Sequence, residues 1–403
     1  MCDIFINVIW NRIKQIIKPY LPVFIFRYIC IFKYLLKKNK LYKIKFPYIN
    51  IPLDGYLPSH IKDYDKIQEK LIKNIIHCNK LVVFFNIAKN VISGGMLSVD
   101  RFVYHSLKIA KSSGFEVIQS GIPLYYACIK NDYFNWSTPI IDFKYVIKYL
   151  KLTKLIINIP EAYSSEFIEN LSYEMKQWLI EIPVLKINIL NQNDMLMPEQ
   201  QAIEKLRELA KGNITITAAH EGYCNDNKSK RYNCPIYRLT PFLPDFYRIN
   251  YKEKENLILF SPDYSTMLIK IIKKIRKELP DYKIVIIRNM HFEEYKKIIS
   301  RAKFVISLGE GWDGYFLEAY LSNTIGITVR DPVYFPNDFK NVSTVYSSLL
   351  ELYTKITDDI KRWSYDEEYY SQVQKCIEME IGKYINNDKS EKDLLTFYKN
   401  VII

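Results

Sequence analysis

The chain has 403 residues, 49% of them hydrophobic and 25% charged, so it is long enough for two ordered domains and unlike a disordered protein. Its net charge of +13 is concentrated, since residues 1–47 contain ten basic residues and one acidic residue, and the other 356 residues carry only +4. This distribution argues against a nucleic-acid partner for the chain. The seven cysteines are scattered without a CxxC pair, which argues against a disulfide framework or a zinc site and favours a reducing, cytosolic compartment.

Residues 1–50 form a basic extension that is also rich in aliphatic and aromatic side chains. Arg27 and Lys33 interrupt its apolar stretch, and Pro19 and Pro22 break the start, so no span of about 20 apolar residues is present. This pattern predicts an amphipathic helical segment that lies on an anionic membrane surface through residues 1–47. A helical hairpin packed on the protein's own surface is the alternative. We therefore expect a cytoplasmic protein that is peripheral at the inner face of the cell membrane.

Residues 51–245 are predicted to form a first α/β domain. Apolar runs typical of buried strands alternate with amphipathic helices, with strands at 81–86, 115–119, 155–159, 184–190 and 214–219, and helices at 96–111, 142–150, 163–180 and 198–211. Such alternation builds a parallel sheet that is covered by helices on both faces.

Residues 246–350 are predicted to form a second domain of the same kind, which begins near the end of a turn-rich break at 220–256. Its strands are expected at 257–261, 283–288, 304–308 and 325–329, and its helices at 264–278, 292–300 and 312–322. Residues 351–403 are predicted to be a charged helical tail. Ligands of such sheets bind at the carboxyl ends of the strands, so we expect the site in a cleft between two tandem Rossmann-like domains.

The stretch GEGWDGYFLEA, residues 309–319, lies where a strand of the second domain is followed by a helix. Gly309 and Gly311 allow the backbone to approach a ligand closely, as a phosphate requires. Glu310 and Glu318, eight positions apart, would accept hydrogen bonds from hydroxyl groups at the two ends of a ligand. A sugar nucleotide has this layout, with hydroxyls on both sides of a diphosphate. The alternative is a pair of solvated helix carboxylates beside a glycine turn.

This stretch resembles the E-x7-E motif of retaining GT-B glycosyltransferases of the family-4 type, with EGWDGYFLEA in place of the more usual EGFGLPLLEA. The tandem α/β plan from about residue 80 to 340 is similar to the same fold. The resemblance implies that Glu310 lies by the donor sugar and that Glu318 binds the ribose. It also implies that the glycine-rich turn of the first domain, where Gly94 and Gly95 open a helix, faces the donor phosphate and the acceptor. A simple tight turn is the alternative for these two glycines.

The sequence departs from the family pattern where an arginine and a lysine usually grip the diphosphate. The corresponding stretch here is SPDYSTMLIK, in which Lys270 is the first basic residue. Arg288, at the end of the next predicted strand, and Arg330 are the further candidates for this charge. The phosphate contacts are thus assigned to Lys270 and Arg288, with the glycines at 309, 311, 94 and 95.

His220 ends a strand of the first domain in the stretch TAAHEGY, and is therefore expected at the cleft. With Glu221 beside it, it would orient or deprotonate an acceptor hydroxyl, whereas a capped loop histidine is the alternative. The D-x-D triplet at Asp63 and Asp65 precedes the first core strand and is interpreted as surface, so we predict no metal and no cofactor beyond the nucleotide-sugar co-substrate.

The predicted function is a glycosyltransferase of bacterial polysaccharide biosynthesis, retaining and metal-independent, that transfers a hexosyl or related sugar. Its partners would be a nucleotide-sugar donor, a glycan or lipid-linked glycan acceptor and an anionic membrane surface, without nucleic acid. Two alternatives are an inverting GT-B enzyme with His220 or Asp313 as base, and a catalytically silent GT-B-like module that binds glycans or scaffolds a synthesis complex.

Overall fold

A computed structural model describes residues 51–52, 58–86, 93–122, 126–127, 130–131, 133–134, 137–263, 266–288, 290–336, 338–339 and 342–402. The basic extension of residues 1–50, with its predicted membrane contact, lies outside the described residues. Within the described ranges, no helix is both long enough and apolar enough to cross a bilayer.

A parallel sheet forms the centre of the first domain. The strands of this domain are β1 (Ile51–Pro52), β2 (Lys80–Phe85), β3 (Glu116–Gly121), β4 (Tyr126–Ala127), β5 (Ile140–Asp142), β6 (Lys154–Pro160), β7 (Val184–Asn191), β8 (Ile214–Ala218) and β9 (Ile236–Arg238). Strands β1 and β4 pair antiparallel, and the other seven form one parallel sheet in the order β5-β3-β2-β6-β7-β8-β9. From β2 the chain adds β3 and β5 on one side of the sheet, and it then returns to the other side of β2 to add β6, β7, β8 and β9. The topological switch point therefore lies between β2 and β6.

Helices cover both faces of this sheet. They are α1 (Pro58–Lys73), α2 (Gly94–Ser112), α3 (Phe143–Tyr149), α4 (Ser164–Asn170), α5 (Tyr173–Glu181), α6 (Gln200–Leu209) and α7 (Asp226–Tyr232). Successive strand residues point to opposite faces, so Val82 packs with α2 whereas Val83 packs in the core on the other side. Where the sequence predicts one helix over 163–180 the structure has two, because the Ser172 hydroxyl caps α5 by accepting the Met175 N–H at 3.2 Å.

The second domain repeats the plan with a smaller sheet. Its strands are β10 (Glu255–Phe260), β11 (Lys283–Ile286), β12 (Ala302–Ile306), β13 (Ile325–Val329) and β14 (Val345–Tyr346), all parallel, in the order β11-β10-β12-β13-β14. Its helices are α8 (Thr266–Glu278), α9 (Phe292–Arg301), α10 (Gly314–Ala319), α11 (Leu349–Trp363) and α12 (Glu367–Gly382). The switch point of this sheet lies between β10 and β12. The predicted pair of tandem doubly wound α/β domains is therefore confirmed.

The C-terminal segment connects the two domains. Helices α11 and α12 pack on the core of the second domain, whereas α13 (Asn387–Phe397) and the π-helical turn Tyr398–Ile402 pack on the first sheet beside Val82 and Phe84. Residues between β4 and β5 also contact the start of α9. The Phe292 N–H donates to the Tyr133 carbonyl at 2.9 Å, and the rings of Phe134 and Phe292 lie 6.4 Å apart. These contacts hold the two carboxyl edges against each other around a cleft.

Candidate functional site in the interdomain cleft

Loops from the two switch points meet in the cleft. Glu161 directly follows β6 in the first domain, and Glu310 lies in the loop that follows β12 in the second domain. Asn193, in the loop after β7, joins the two carboxylates. Its main-chain N–H donates to Glu161 Oε1 at 3.0 Å, and its side-chain Nδ2 donates to Glu310 Oε1. The site is thus built from both sheets at the edge where α/β proteins bind ligands.

The preceding residue, Gln192, connects two further predicted residues to this loop. Its side chain donates to the Gly95 carbonyl at 3.2 Å, and its main chain accepts a hydrogen bond from His220. Burial, followed by the nearby Arg238 guanidinium, lowers the pKa of His220 to about 4, so the imidazole is neutral near pH 7. The loop at 192–193 therefore brings Gly95, His220 and Glu310 together.

Gly94 and Gly95 begin α2, as the sequence predicts. A Cβ added at Gly94 would meet no atom of the described residues within 4 Å, so this residue faces open space among them. A Cβ at Gly95 would lie 3.7 Å from the Gln192 side chain. The two glycines thus differ: Gly95 packs against the loop at 192–193, whereas Gly94 leaves room beside the helix start.

The loop that carries Glu310 depends on its glycines. Gly311 has φ +78°, and a Cβ there would lie 2.4 Å from the Val329 carbonyl oxygen, so only glycine fits. A Cβ at Gly309 would come within 2.8 Å of an Asp263 oxygen, which shows that the loops after β10 and β12 touch. Helix α10 then begins after Asp313, whose carboxylate accepts the Phe316 N–H at 3.0 Å. Asp313 is therefore used as a helix cap.

The surroundings of Glu310 are strongly acidic. Burial raises the pKa of Glu310, the negative charges of Asp313, Asp263 and Asp331 raise it further, and the hydrogen bond from Asn193 opposes this rise. Burial also raises the pKa of Asp313 to about 6. In the part of the chain that the structure describes, no group of three His, Cys, Asp or Glu side chains is arranged to hold a metal ion.

Glu318 has a different environment, inside a buried ion pair between the domains. Arg101 of α2 contacts it at 3.0 Å, with side-chain exposures of 10% for the arginine and 7% for the glutamate. The same guanidinium donates to the Phe242 carbonyl at 2.9 Å and lies 5.6 Å from the centre of the Phe292 ring. Burial raises the pKa of Glu318, and Arg101 opposes this rise. The second glutamate of the motif therefore connects α10 to the first domain.

The residues predicted to bind the diphosphate are Arg288 and Lys270, with Arg330 as a further candidate. Arg288 is exposed just after β11, the edge strand of the second sheet, and Lys270 is exposed on α8. Arg330 follows β13 at the same sheet edge as Glu310 and donates to the carbonyls of Phe339 at 3.0 Å and Pro336 at 3.3 Å. The phosphate roles of these residues and the ribose role of Glu318 stay predictions.

Sequence reasoning missed four residues that organise the cleft: Glu161, Gln192, Asn193 and Arg101. The polar run Asn191-Gln192-Asn193-Asp194 at the end of an apolar strand was a usable signal, because strand ends of this fold carry the ligand-binding side chains. Arg101 pairs with a residue 217 positions away, and a single sequence carries no sign of such a contact.

Comparison with known proteins bears on the fold. The Anabaena protein HepE, solved in complex with UDP-glucose, superimposes with a TM-score of 0.52 at 7% sequence identity, over 79% of this chain and 99% of that one. The S. aureus MnaA–UDP co-structure gives a TM-score of 0.49 at 12% identity, over 80% and 98% of the two chains. The α,α-trehalose-phosphate synthase (UDP-forming) of Burkholderia vietnamiensis gives 0.46 at 8% identity, over 81% and 98%. No protein-family model matches the sequence, and no curated protein matches it either. Two facing doubly wound domains together with the likeness to HepE establish that this chain has the GT-B fold.

Proposed function

We propose that this protein is a glycosyltransferase that moves a sugar from a nucleotide-sugar donor to a glycan or lipid-linked glycan acceptor. The observation that carries the proposal is the position of Glu310. It lies at the switch point of the second sheet, among glycines, and accepts a hydrogen bond from Asn193 of the opposite domain. Ligands of doubly wound sheets bind at such points, and a carboxylate there is suited to accept hydrogen bonds from sugar hydroxyls.

The roles within the cleft follow from these positions. Glu310 would bind the donor sugar, and the open space beside Gly94 would admit the donor phosphates or the acceptor. His220 is neutral near pH 7 and would orient the acceptor hydroxyl as a hydrogen-bond partner. The likeness to HepE, which was solved with UDP-glucose, supports a uridine nucleotide as the first donor to test.

Retention of configuration and independence from a metal ion are part of the proposal. The E-x7-E pattern of Glu310 and Glu318 supports retention. The negative charge of Asp263, Asp313 and Asp331 beside Glu310 means that basic groups must accompany the diphosphate. Arg330 at the same sheet edge is the residue we assign to this role, together with Arg288 and Lys270.

The acceptor is assigned through the N-terminal extension. Ten basic residues and many aromatic residues in 1–47 would hold the enzyme on an anionic membrane surface. A lipid-linked glycan is available only at such a surface. We therefore propose transfer at the cytoplasmic membrane face.

A second candidate function is supported by the Arg101–Glu318 ion pair. In the proposed enzyme Glu318 would bind ribose, yet its carboxylate is buried against Arg101 at 3.0 Å. A GT-B module that binds glycans or scaffolds a synthesis complex, without using a nucleotide, could keep this pair permanently. Binding of a glycan in the absence of any nucleotide binding would favour this second candidate.

A thermal-shift screen of the full-length protein against a panel of sugar nucleotides tests the proposal. We expect a rise in melting temperature with at least one donor, because a ligand that binds only the folded state stabilises it. Glu310→Gln should reduce this rise, whereas Glu204→Gln, at an exposed position on α6, should leave it unchanged. A wild-type protein that no sugar nucleotide stabilises would contradict the proposal.

A further inference from the structure

Glu161 is a buried carboxyl group at the switch point of the first sheet, opposite Glu310 at the switch point of the second. Only 5% of its surface is exposed, although it follows β6 at the edge where a ligand would bind. Its Oε1 atom accepts the Asn193 N–H at 3.0 Å, whereas its buried Oε2 atom has no hydrogen-bond partner among the residues that the structure describes. An ionised carboxylate with one unpartnered buried oxygen is costly, and a neutral carboxylic acid much less so.

Asn193 couples this group to Glu310 with a fixed orientation. Its side-chain oxygen accepts the Met195 N–H at 3.0 Å, so its side-chain nitrogen must be the atom that faces Glu310. A side-chain N–H donor stabilises the ionised form of the carboxylate that accepts it. Both acids accept an N–H group of Asn193, but Glu161 is only 5% exposed and keeps a buried oxygen without a hydrogen-bond partner among the described residues.

We infer that Glu161 is a positioning residue which holds a proton in mildly acidic solution, releases it around neutral pH and, by holding Asn193, keeps Glu310 as the charged member of the pair below that pH. This inference rests on the proposed function, because it specifies how the donor site of that function is charged. Ionisation of Glu161 would add one negative charge to a cleft that has to receive a diphosphate, and would thus weaken donor binding.

The other titratable groups around the pair reinforce this effect. Tyr163 lies beside Glu161, and Asp263, Asp313, Asp331, Tyr223 and Tyr334 lie beside Glu310. All six are acids, and the Lys228 ammonium that packs on the Tyr223 ring is paired with Asp194 at 2.7 Å, which balances its charge. His220, which is joined to the same loop through Gln192, is neutral near pH 7. Burial raises the pKa of Glu161 to about 7, although hydrogen bonds from the main-chain N–H groups of Glu161, Gln192 and Asn193 oppose this rise, so the effect lies in a measurable range.

The stability of the wild type should fall as pH rises, because folding raises the pKa of Glu161. Between the unfolded pKa of about 4.3 and the folded pKa, the native state holds a proton on Glu161 that the unfolded state has released. The wild type should therefore lose stability as pH rises from about 4 to 7, relative to a variant in which this group cannot ionise. The difference should stay constant at higher pH.

The first measurement needs no ligand. Melting temperatures of the wild type and of Glu161→Gln are recorded from pH 5 to 8.5, with Glu169→Gln, at an exposed position of α4, as the control. We expect Glu161→Gln to gain stability relative to the wild type as pH rises, and the control to follow the wild type. Infrared spectra should show a protonated carboxylic acid at pH 6 that disappears in Glu161→Gln. Identical pH profiles for the wild type and Glu161→Gln, or no such acid band, would overturn the inference.

The second measurement uses UDP-glucose as the probe. Its affinity for the wild type should fall about three- to tenfold between pH 6 and pH 8, and this fall should be largely absent in Glu161→Gln. Equal falls in both proteins would overturn the inference even if UDP-glucose binds. If the wild type binds no sugar nucleotide at either pH, the proposed function fails, while the ligand-free profiles still decide the protonation state of Glu161.

Discussion

Replacing Arg101 by methionine tests the ion pair that joins the two domains at the cleft. Methionine retains the apolar stem but leaves the Glu318 carboxylate buried and unpaired, since the side chain of that residue is only 7% exposed. Removal of one partner from a buried pair costs about 3–5 kcal/mol. The Phe242 carbonyl also loses the donor that lies 2.9 Å away, a further cost of about 1 kcal/mol. We therefore expect Arg101→Met to reduce the free energy of unfolding by about 4–6 kcal/mol.

The assay is urea unfolding followed by tryptophan fluorescence, with Arg248→Met as the matched control. Arg248 pairs with Glu378 at 2.9 Å, close to the distance of the cleft pair, but its side chain is 49% exposed. Solvent screens such a pair, so the control should lose no more than about 1 kcal/mol. The double variant Arg101→Met with Glu318→Gln removes the buried charge as well, and should recover part of the loss. Two results would contradict this expectation. Arg101→Met could lower the free energy of unfolding no more than the control does, or the double variant could be no more stable than Arg101→Met alone. In either case the Arg101–Glu318 ion pair does not stabilise the contact between the domains.

Three further outcomes follow from single features of the chain. Gly311→Ala should destabilise the protein by about 1–3 kcal/mol, because the φ of Gly311 is +78° and a Cβ would lie 2.4 Å from a carbonyl oxygen. Gly94→Ala is the control and should not destabilise it, because no atom of the described residues lies within 4 Å of the added Cβ. Equal melting temperatures for the two variants would contradict the steric role of Gly311. Lys254→Met should cost about 2–5 kcal/mol, because the buried Nζ lies within 3.1 Å of three carbonyl oxygens and of the Thr324 hydroxyl, which share its N–H donors. Lys252→Met, at a side chain 82% exposed, is the control, and equal unfolding curves for the two variants would contradict this expectation. Deleting residues 1–45 should release the protein from anionic vesicles in a sedimentation assay while the folded core keeps its melting temperature, and continued sedimentation with vesicles would contradict the membrane role.

The fold could be predicted from the sequence because local patterns of apolar and polar residues indicate most of its strands and helices. Runs such as LVVFF (81–85) and FVI (304–306) are too apolar for anything but buried strands, and amphipathic segments separate them. Features that depend on pairing were missed. Strand β9 lies in a proline-rich stretch and is defined by its contact with β8, and α13 returns to the first domain from the end of the chain.

The position of Glu310 in the cleft could be predicted because glycines surround it in the sequence. Glu310 was predicted because Gly309 and Gly311 surround it at a strand end, and the structure gives Gly311 a steric reason. Glu161 and Asn193 were missed because a carboxyl or amide side chain carries no local signature, and its role depends on what the fold brings opposite to it. For the same reason the pairing of Glu318 with Arg101 could not be predicted, and the ribose role of Glu318 stays a prediction.

The most direct test of the account is titration calorimetry of the full-length protein with the sugar nucleotide that stabilises it most. We expect saturable binding by the wild type and at least a tenfold loss of affinity, about 1.4 kcal/mol, in Glu310→Ala. Glu169→Ala, at an exposed position on α4, should bind as the wild type does. Binding that is equally strong in Glu310→Ala would contradict the claim that the donor sugar lies between the two switch points.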